Sequence, residues 1–217
     1  MPSHGLSEGR GVKELGPELL LDAEQFLETY QNQGTTYSLL SHSTGGAVCA
    51  NLPVLSGYKG HYTMAPLLLP LPISPIVISV LSCFLCVCPC VCGGTLITPP
   101  RKTDTTPWLV FDSEDVYRAE AVEDPLCWKG KIPLSTGKFL MDFAASTSKL
   151  DVKGKMKIVH GSADGLVPLD GSKRFAEGKE NVELWQVDSA HFVISGRSGM
   201  AIRDDIVEWM KARMAEQ

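Results

Sequence analysis

Three polar residues, each placed just after a short strand-like run, have the chemistry of a nucleophile and its two helpers. They occur along the chain in the order Ser43, Asp164, His191. The preceding runs are residues 37–40, 156–159 and 182–185. A serine hydroxyl can attack a carbonyl when a histidine takes its proton and an aspartate holds the imidazole in the correct tautomer. The order and placement therefore predict acyl transfer, with Ser43, Asp164 and His191 as the catalytic residues.

The segment around the serine departs at one position from the nucleophile pattern Gly-x-Ser-x-Gly. Small neighbours avoid clashes in the strained strand-to-helix turn that this pattern forms. Ser41 replaces the first glycine, whereas Gly45 keeps the second. Taken alone, the segment is also typical of a turn without chemistry. Asp164 and His191 at the ends of their own strand-like runs favour the catalytic interpretation.

Length and composition favour one globular domain. The chain has 217 residues, of which 44% are hydrophobic and 21% are charged, as is usual for a globular protein. Its net charge of -5 and the lack of a basic stripe argue against a nucleic-acid partner. The start at Met1 shows no basic region followed by an apolar core, so no signal peptide is evident. A cytoplasmic chain with reduced thiols is therefore predicted.

Helix-like and strand-like patterns alternate along the second half of the chain, and a further helical pattern lies near its start. Such alternation favours a parallel sheet covered by helices. The predicted helices are residues 18–33, 139–149, 168–177 and 197–214, and the predicted strands are residues 155–160 and 182–187.

Five short motifs carry a resemblance to a known family. Residues 4–9 resemble the GHGxSEG loop, and residues 41–46 the GHSMGG elbow, of monoacylglycerol lipases and related α/β-hydrolases. Residues 124–137, 160–164 and 190–191 resemble the DPL…GKIP…TG segment, the HGxAD acid loop and the terminal histidine of that family. The chain thus resembles the monoacylglycerol lipase-like serine hydrolases of the serine aminopeptidase S33 type.

The resemblance implies an α/β-hydrolase fold with an apolar lid insertion. The core would comprise residues 1–65 and 139–217, with residues 66–138 as the lid or cap. Strands that precede the GHGxSEG loop in the family, including one whose loop supplies a second oxyanion-hole N–H, are expected to be missing. The N–H of Thr44 is therefore the oxyanion-hole donor that can be assigned. The implied reaction is cleavage of monoacylglycerol to fatty acid and glycerol, and it requires no cofactor.

The stretch between Lys59 and Arg101 contains no Asp, Glu, Lys or Arg. Residues 73–97 are long enough for a membrane span, but prolines and glycines interrupt them, and the proline-free part, residues 76–88, is too short to cross a bilayer. A lid-like or interfacial segment with peripheral membrane contact through residues 66–98 is favoured. A true span remains the alternative.

The same stretch holds a cluster of cysteines. Only the first two have C-x-x-C spacing, and no histidine or acidic residue lies among them, so inert buried thiols are favoured over a metal site. Lipid attachment to these thiols is a further alternative. The members are Cys83, Cys86, Cys88, Cys90 and Cys92. Cys127 resembles a cysteine of the family's binding region and is equally compatible with a packed thiol.

Several residues compete with the assigned site, and two other functions compete with the predicted one. Asp170 and Asp188 are alternative acids, of which Asp188 lies too close to His191 in sequence for the usual arrangement. His160 is interpreted as structural, and His42 as the variable position of the elbow. A truncated, catalytically impaired relative acting through membrane or partner contact, and a lysophospholipase or general carboxylesterase, are the alternative functions.

Overall fold

The computed structural model describes residues 18–31, 34–69, 95–97, 111–126 and 132–216. These ranges contain helices, strands and one π-helical segment. In chain order the elements are α1 (Glu18–Gln31), β1 (Tyr37–His42), α2 (Thr44–Asn51), β2 (Tyr58–Met64), β3 (Thr95–Ile97), α3 (Glu114–Tyr117), the π-helical segment (Arg118–Glu123), β4 (Ile132–Pro133), α4 (Leu134–Thr147), β5 (Met156–Gly161), α5 (Leu169–Ala176), β6 (Val182–Val187) and α6 (Gly199–Ala215).

A parallel four-stranded sheet, in the order β1-β2-β5-β6, organises the described part of the chain. His42 lies opposite Met64, and Gly161 lies opposite Val187, so the strands end at similar heights. The carboxyl ends of parallel strands meet at one edge of a sheet, where α/β proteins place their ligands. The loops that follow β1, β5 and β6 therefore share this edge. β3 and β4 form a separate antiparallel pair.

Helices pack against both faces of the sheet and bury its two central strands, β2 and β5. All six residues of β5 are buried. On one face Ile158 packs with Leu68 and with Phe175 of α5. On the other face Val159 packs with Tyr62 and with Ile202 of α6. A third cluster joins α2 to α4, and its buried members are Ala47, Leu67, Ala144 and Val167.

The predicted α/β architecture is confirmed, and most element bounds differ from the predictions by only one or two residues. The helix predicted at 139–149 is different, because it begins at Leu134 and continues through Gly137. A glycine costs a helix about 1 kcal/mol relative to alanine. Packing of the buried Met141 and Ala144 offsets that cost, and the sequence pattern alone does not predict this packing.

Several predictions fall outside the described residues. These concern most of the proposed lid, residues 73–94 of the interrupted apolar segment, the cysteine cluster and Cys127. Within the described ranges, no helix is both long enough and apolar enough to cross a membrane. Leu67 and Leu68, at the start of the segment assigned to the lid, pack in the core clusters.

Candidate active site

Ser43 occupies a strained turn between β1 and α2. Its φ of 55° and ψ of -123° lie in a region that residues other than glycine seldom adopt. Three backbone hydrogen bonds hold it there: its N–H donates to Met64 O at 2.9 Å, and its carbonyl accepts from the N–H groups of Gly46 at 2.9 Å and Leu67 at 3.0 Å. Strain of this kind persists only where the surroundings over-determine it, and it concentrates at functional sites.

The departure at Ser41 is accommodated by a buried polar pocket on β2. Ser41 Oγ lies 2.6 Å from His61 Nε2 and donates to Thr63 Oγ1 at 2.9 Å. Burial lowers the pKa of His61 to about 4, so its ring is neutral at pH 7. The close approach that needs glycine occurs instead at Gly46, where a Cβ would lie 2.6 Å from both Pro66 Cβ and Thr63 Oγ1. Ser41 is therefore accommodated in the elbow with hydrogen-bond partners for its hydroxyl.

We expect Ser41→Ala to lower the free energy of unfolding by about 1–3 kcal/mol, because it leaves two buried polar groups without a partner. Ser38→Ala is the matched control on the same strand. Ser38 Oγ is also buried but has no hydrogen-bond partner among the described residues, so its removal should be neutral or slightly stabilising. Urea unfolding of both variants measures the difference. Equal effects of the two substitutions would contradict this role of Ser41.

Asp164 lies after β5 with a fully buried side chain. Its Oδ1 accepts from the backbone N–H groups of Leu166 at 2.9 Å and Val167 at 2.8 Å. Its Oδ2 lies 2.7 Å from His191 Nδ1 and 3.1 Å from His160 Nε2. Both carboxylate oxygens are therefore fully engaged as acceptors.

The charge on Asp164 is strongly favoured. Burial by itself raises the pKa of a carboxyl group, but the hydrogen bonds from His160 and His191 and the positive charge that His191 can carry outweigh burial. The pKa of Asp164 is consequently held well below its usual range. A carboxylate can only accept, so both histidine nitrogens that face it carry protons.

His160, which the sequence pattern indicated to be a structural histidine, contacts the proposed acid directly. Its Nε2 faces Asp164 Oδ2 and Val167 O, both acceptors, and its Nδ1 lies 2.8 Å from Ser172 Oγ. The imidazole is thus oriented from α5 and donates to the acid. The sequence offers no signal for this contact, because it depends on the directions of two side chains at the end of β5.

His191 lies on a loop after β6, here called the histidine loop and defined as residues 188–198. Since its Nδ1 donates to Asp164, the neutral ring keeps an acceptor at Nε2. The elbow contacts this loop through His42, whose Nε2 donates to His191 O at 3.1 Å and whose ring centroid lies 4.7 Å from that of His191. Burial lowers the pKa of His42 to about 4, so the His42 ring is neutral at pH 7.

The structure thus brings Asp164 and His191 into direct contact and places the residue before Ser43 against His191. No hydrogen bond joins Ser43 Oγ to His191 among the described residues. Thr44 is the first residue of α2, so its N–H has no carbonyl partner within the helix. Asp170 lies exposed on α5, and Asp188 is exposed beside Arg197, so neither alternative acid contacts His191.

Other nucleophilic or metal-binding groups are not assembled in the described part of the chain. Burial raises the pKa of the Cys49 thiol to about 11, which leaves it protonated at neutral pH. No group of three or more histidine, cysteine or acidic side chains in the described ranges is arranged to hold a metal ion.

A family model described as serine aminopeptidase, S33, matches residues 3–184. The chain belongs to this family. The prediction of an S33-type α/β-hydrolase is therefore confirmed, and the match includes Ser43 and Asp164.

Solved structures agree with the fold of this S33 family member. The monoacylglycerol lipase of Paleococcus ferrophilus superposes with a TM-score of 0.78 at 21% identity, covering 98% of this chain and 81% of that one. A soluble variant of monoglyceride lipase from Saccharomyces cerevisiae gives 0.76 at 17% identity, covering 99% and 76%. A carboxyl esterase from Bacillus coagulans gives 0.69 at 13% identity, covering 98% and 79%. The family and these folds agree with a carboxylic ester hydrolase, the class predicted from the sequence.

Proposed function

We propose that this protein is a serine hydrolase that cleaves carboxylic esters of lipids, with monoacylglycerol as its substrate. The observation that carries the proposal is the buried hydrogen bond of 2.7 Å between His191 Nδ1 and Asp164 Oδ2. His42 of the elbow also contacts the histidine loop, through a hydrogen bond to His191 O. This arrangement leaves His191 Nε2 as a base at the edge of the sheet where Ser43 lies. Acyl transfer requires a nucleophilic serine, a base and an acid that orients the base.

In the proposed reaction, Ser43 Oγ attacks the ester carbonyl while His191 Nε2 takes the hydroxyl proton. The N–H of Thr44 donates to the oxyanion, and Asp164 stabilises the imidazolium that forms. His191 then gives the proton to the departing glycerol oxygen, which leaves an acyl-enzyme. Water, deprotonated by His191, attacks the acyl group. His191 then returns the proton to Ser43 Oγ as the bond to the acyl group breaks and the fatty acid leaves. No cofactor takes part.

A lipid substrate has two independent supports. Two of the similar structures are named as lipases of monoacylglycerol, and one of these holds a substrate analogue. The uncharged stretch between Lys59 and Arg101 is also suited to contact with an acyl chain or a lipid surface. Peripheral membrane contact through residues 66–98 and a cytoplasmic location stay predictions.

The substrate is tested by turnover of matched esters that carry one acyl chain. Free fatty acid released from a monoacylglycerol, from the lysophospholipid with the same chain and from a short-chain ester would be measured, with Ser43→Ala as the background. We expect the highest kcat/KM for the monoacylglycerol. Preference for the lysophospholipid or the short ester would replace the proposed substrate with the corresponding alternative. Turnover of none above the Ser43→Ala background would support the catalytically impaired relative.

A further inference from the structure

One carboxylate outside the proposed triad holds the histidine loop from a distant part of the chain. Asp112 precedes α3, and its side chain is only 4% exposed. Its Oδ1 accepts from the backbone N–H of Ala190 at 2.8 Å. Its Oδ2 accepts from Ser189 Oγ at 2.5 Å and from the backbone N–H of Arg197 at 3.0 Å. These donors lie on both sides of His191 in sequence.

The residue before Asp112 adds an apolar contact to the same loop. The ring of Phe111 stacks on that of Phe192, with centroids 4.6 Å apart and planes at 15°. The loop in turn leaves room for the carboxylate at Gly196, where a Cβ would overlap Asp112 Oδ2 and Ser189 Oγ. Both neighbours of His191 are therefore fixed by the Phe111–Asp112 pair, Ala190 through its N–H and Phe192 through its ring.

We propose that Asp112 is a positioning residue, which holds the histidine loop so that His191 Nδ1 meets Asp164 and Nε2 faces Ser43. The role rests on the proposed function, because it concerns the alignment of that triad. Asp112 does not contact His191 itself and acts through Ala190, Ser189 and Arg197. Misplacement of a catalytic group by about 1 Å can cost roughly 100-fold in rate.

The chemistry of the contact explains why a carboxylate is required. Donors approach both oxygens of Asp112, and a carboxylate accepts at each. An asparagine side chain in its place could accept at one of these positions only. Its NH₂ would face the N–H of Ala190 if it took the Oδ1 position, or the N–H of Arg197 if it took the Oδ2 position, and neither backbone group can accept. Asp112→Asn should therefore release one side of the loop while keeping the size of the side chain.

Asp188→Asn is the matched control on the histidine loop. The side chain of Asp188 is 75% exposed, and its partner within the described ranges is the Arg197 guanidinium, at 3.5 Å. Exposed pairs of this kind contribute little. We expect Asp112→Asn to lower kcat, counted per folded molecule, by about 10- to 100-fold with KM nearly unchanged. Asp188→Asn should change kcat by less than about 2-fold.

A second measurement distinguishes positioning from a merely structural role. Proton NMR would follow the strongly deshielded His191 Nδ1 proton in the hydrogen bond to Asp164. We expect this signal to be present in the wild type and in Asp188→Asn, and broadened or shifted in Asp112→Asn. Ser189→Ala, which removes one side-chain donor and none of the backbone donors, should change it in the same direction if Asp112→Asn does not fold.

The outcomes separate this proposal from the proposed function. One outcome is that the wild type shows no ester turnover but does show the NMR signal, and that this signal is lost in Asp112→Asn. This outcome would overturn the proposed function and retain the positioning role. An active wild type whose kcat and NMR signal are both preserved in Asp112→Asn would overturn the positioning role alone. A lower melting temperature with unchanged kcat per folded molecule and an unchanged signal would likewise overturn it, leaving a structural contact.

Discussion

Ser43→Ala is expected to reduce ester turnover by roughly 10⁶-fold in kcat, which is effectively to background. The substitution removes the attacking oxygen but keeps Cβ, so the backbone bonds that hold the turn to Met64 and Leu67 remain. Ser43 Oγ makes no hydrogen bond within the described part of the chain, and the melting temperature should hardly change. Turnover of a monoacylglycerol and thermal unfolding, measured on the same preparation, would check both expectations.

Ser162→Ala is a suitable control for this experiment, because Ser162 is an exposed serine on the loop that carries Asp164. We expect it to retain activity. Retained activity in Ser43→Ala would show that the nucleophile lies elsewhere and would remove the basis of the proposed mechanism.

Asp164→Asn is expected to lower kcat by about 10⁴-fold, the size of the effect when the acid of a serine protease triad is replaced in this way. The structure fixes the orientation of the new amide. The backbone N–H groups of Leu166 and Val167 can only donate, so the amide oxygen must occupy the Oδ1 position. Its NH₂ then faces His191, whose Nδ1 must become an acceptor. The ring proton moves to Nε2, and His191 can no longer take a proton from Ser43.

The loss should occur without unfolding, because the amide keeps both backbone hydrogen bonds of the carboxylate and His160 Nε2 keeps Val167 O as an acceptor. Asp170→Asn, at an exposed position of α5, is the control and should retain activity. Kinetics of both variants at a fixed pH near neutrality would be compared. A decrease of less than about 10-fold in Asp164→Asn would argue that Asp164 does not set the tautomer of a catalytic histidine.

The sequence predicted where the three candidate catalytic residues lie, but it did not predict the side chains that contact them. Ser43, Asp164 and His191 follow strand-like runs, and a parallel sheet necessarily brings the ends of its strands to one edge. The contact between His191 and Asp164 follows from that rule. The donation from His160 to Asp164 and the buried pocket around Ser41 depend on side-chain directions, which no local pattern encodes.

Asp112 was missed for a different reason. It lies 77 residues from Ser189 in sequence, and no motif connects the two. An isolated aspartate before a short helix is indistinguishable from a solvated turn residue until the tertiary structure places three donors around it. The same holds for Phe111, whose stacking partner Phe192 is also distant along the chain.

The most direct test of the central claim is covalent labelling with a fluorophosphonate probe, followed by mass spectrometry of the digested protein. The proposed mechanism predicts a single probe adduct on the peptide that contains Ser43, at Ser43 itself, and no adduct in Ser43→Ala. Absence of an adduct in folded wild-type protein, or an adduct that maps to another residue, would contradict an activated Ser43.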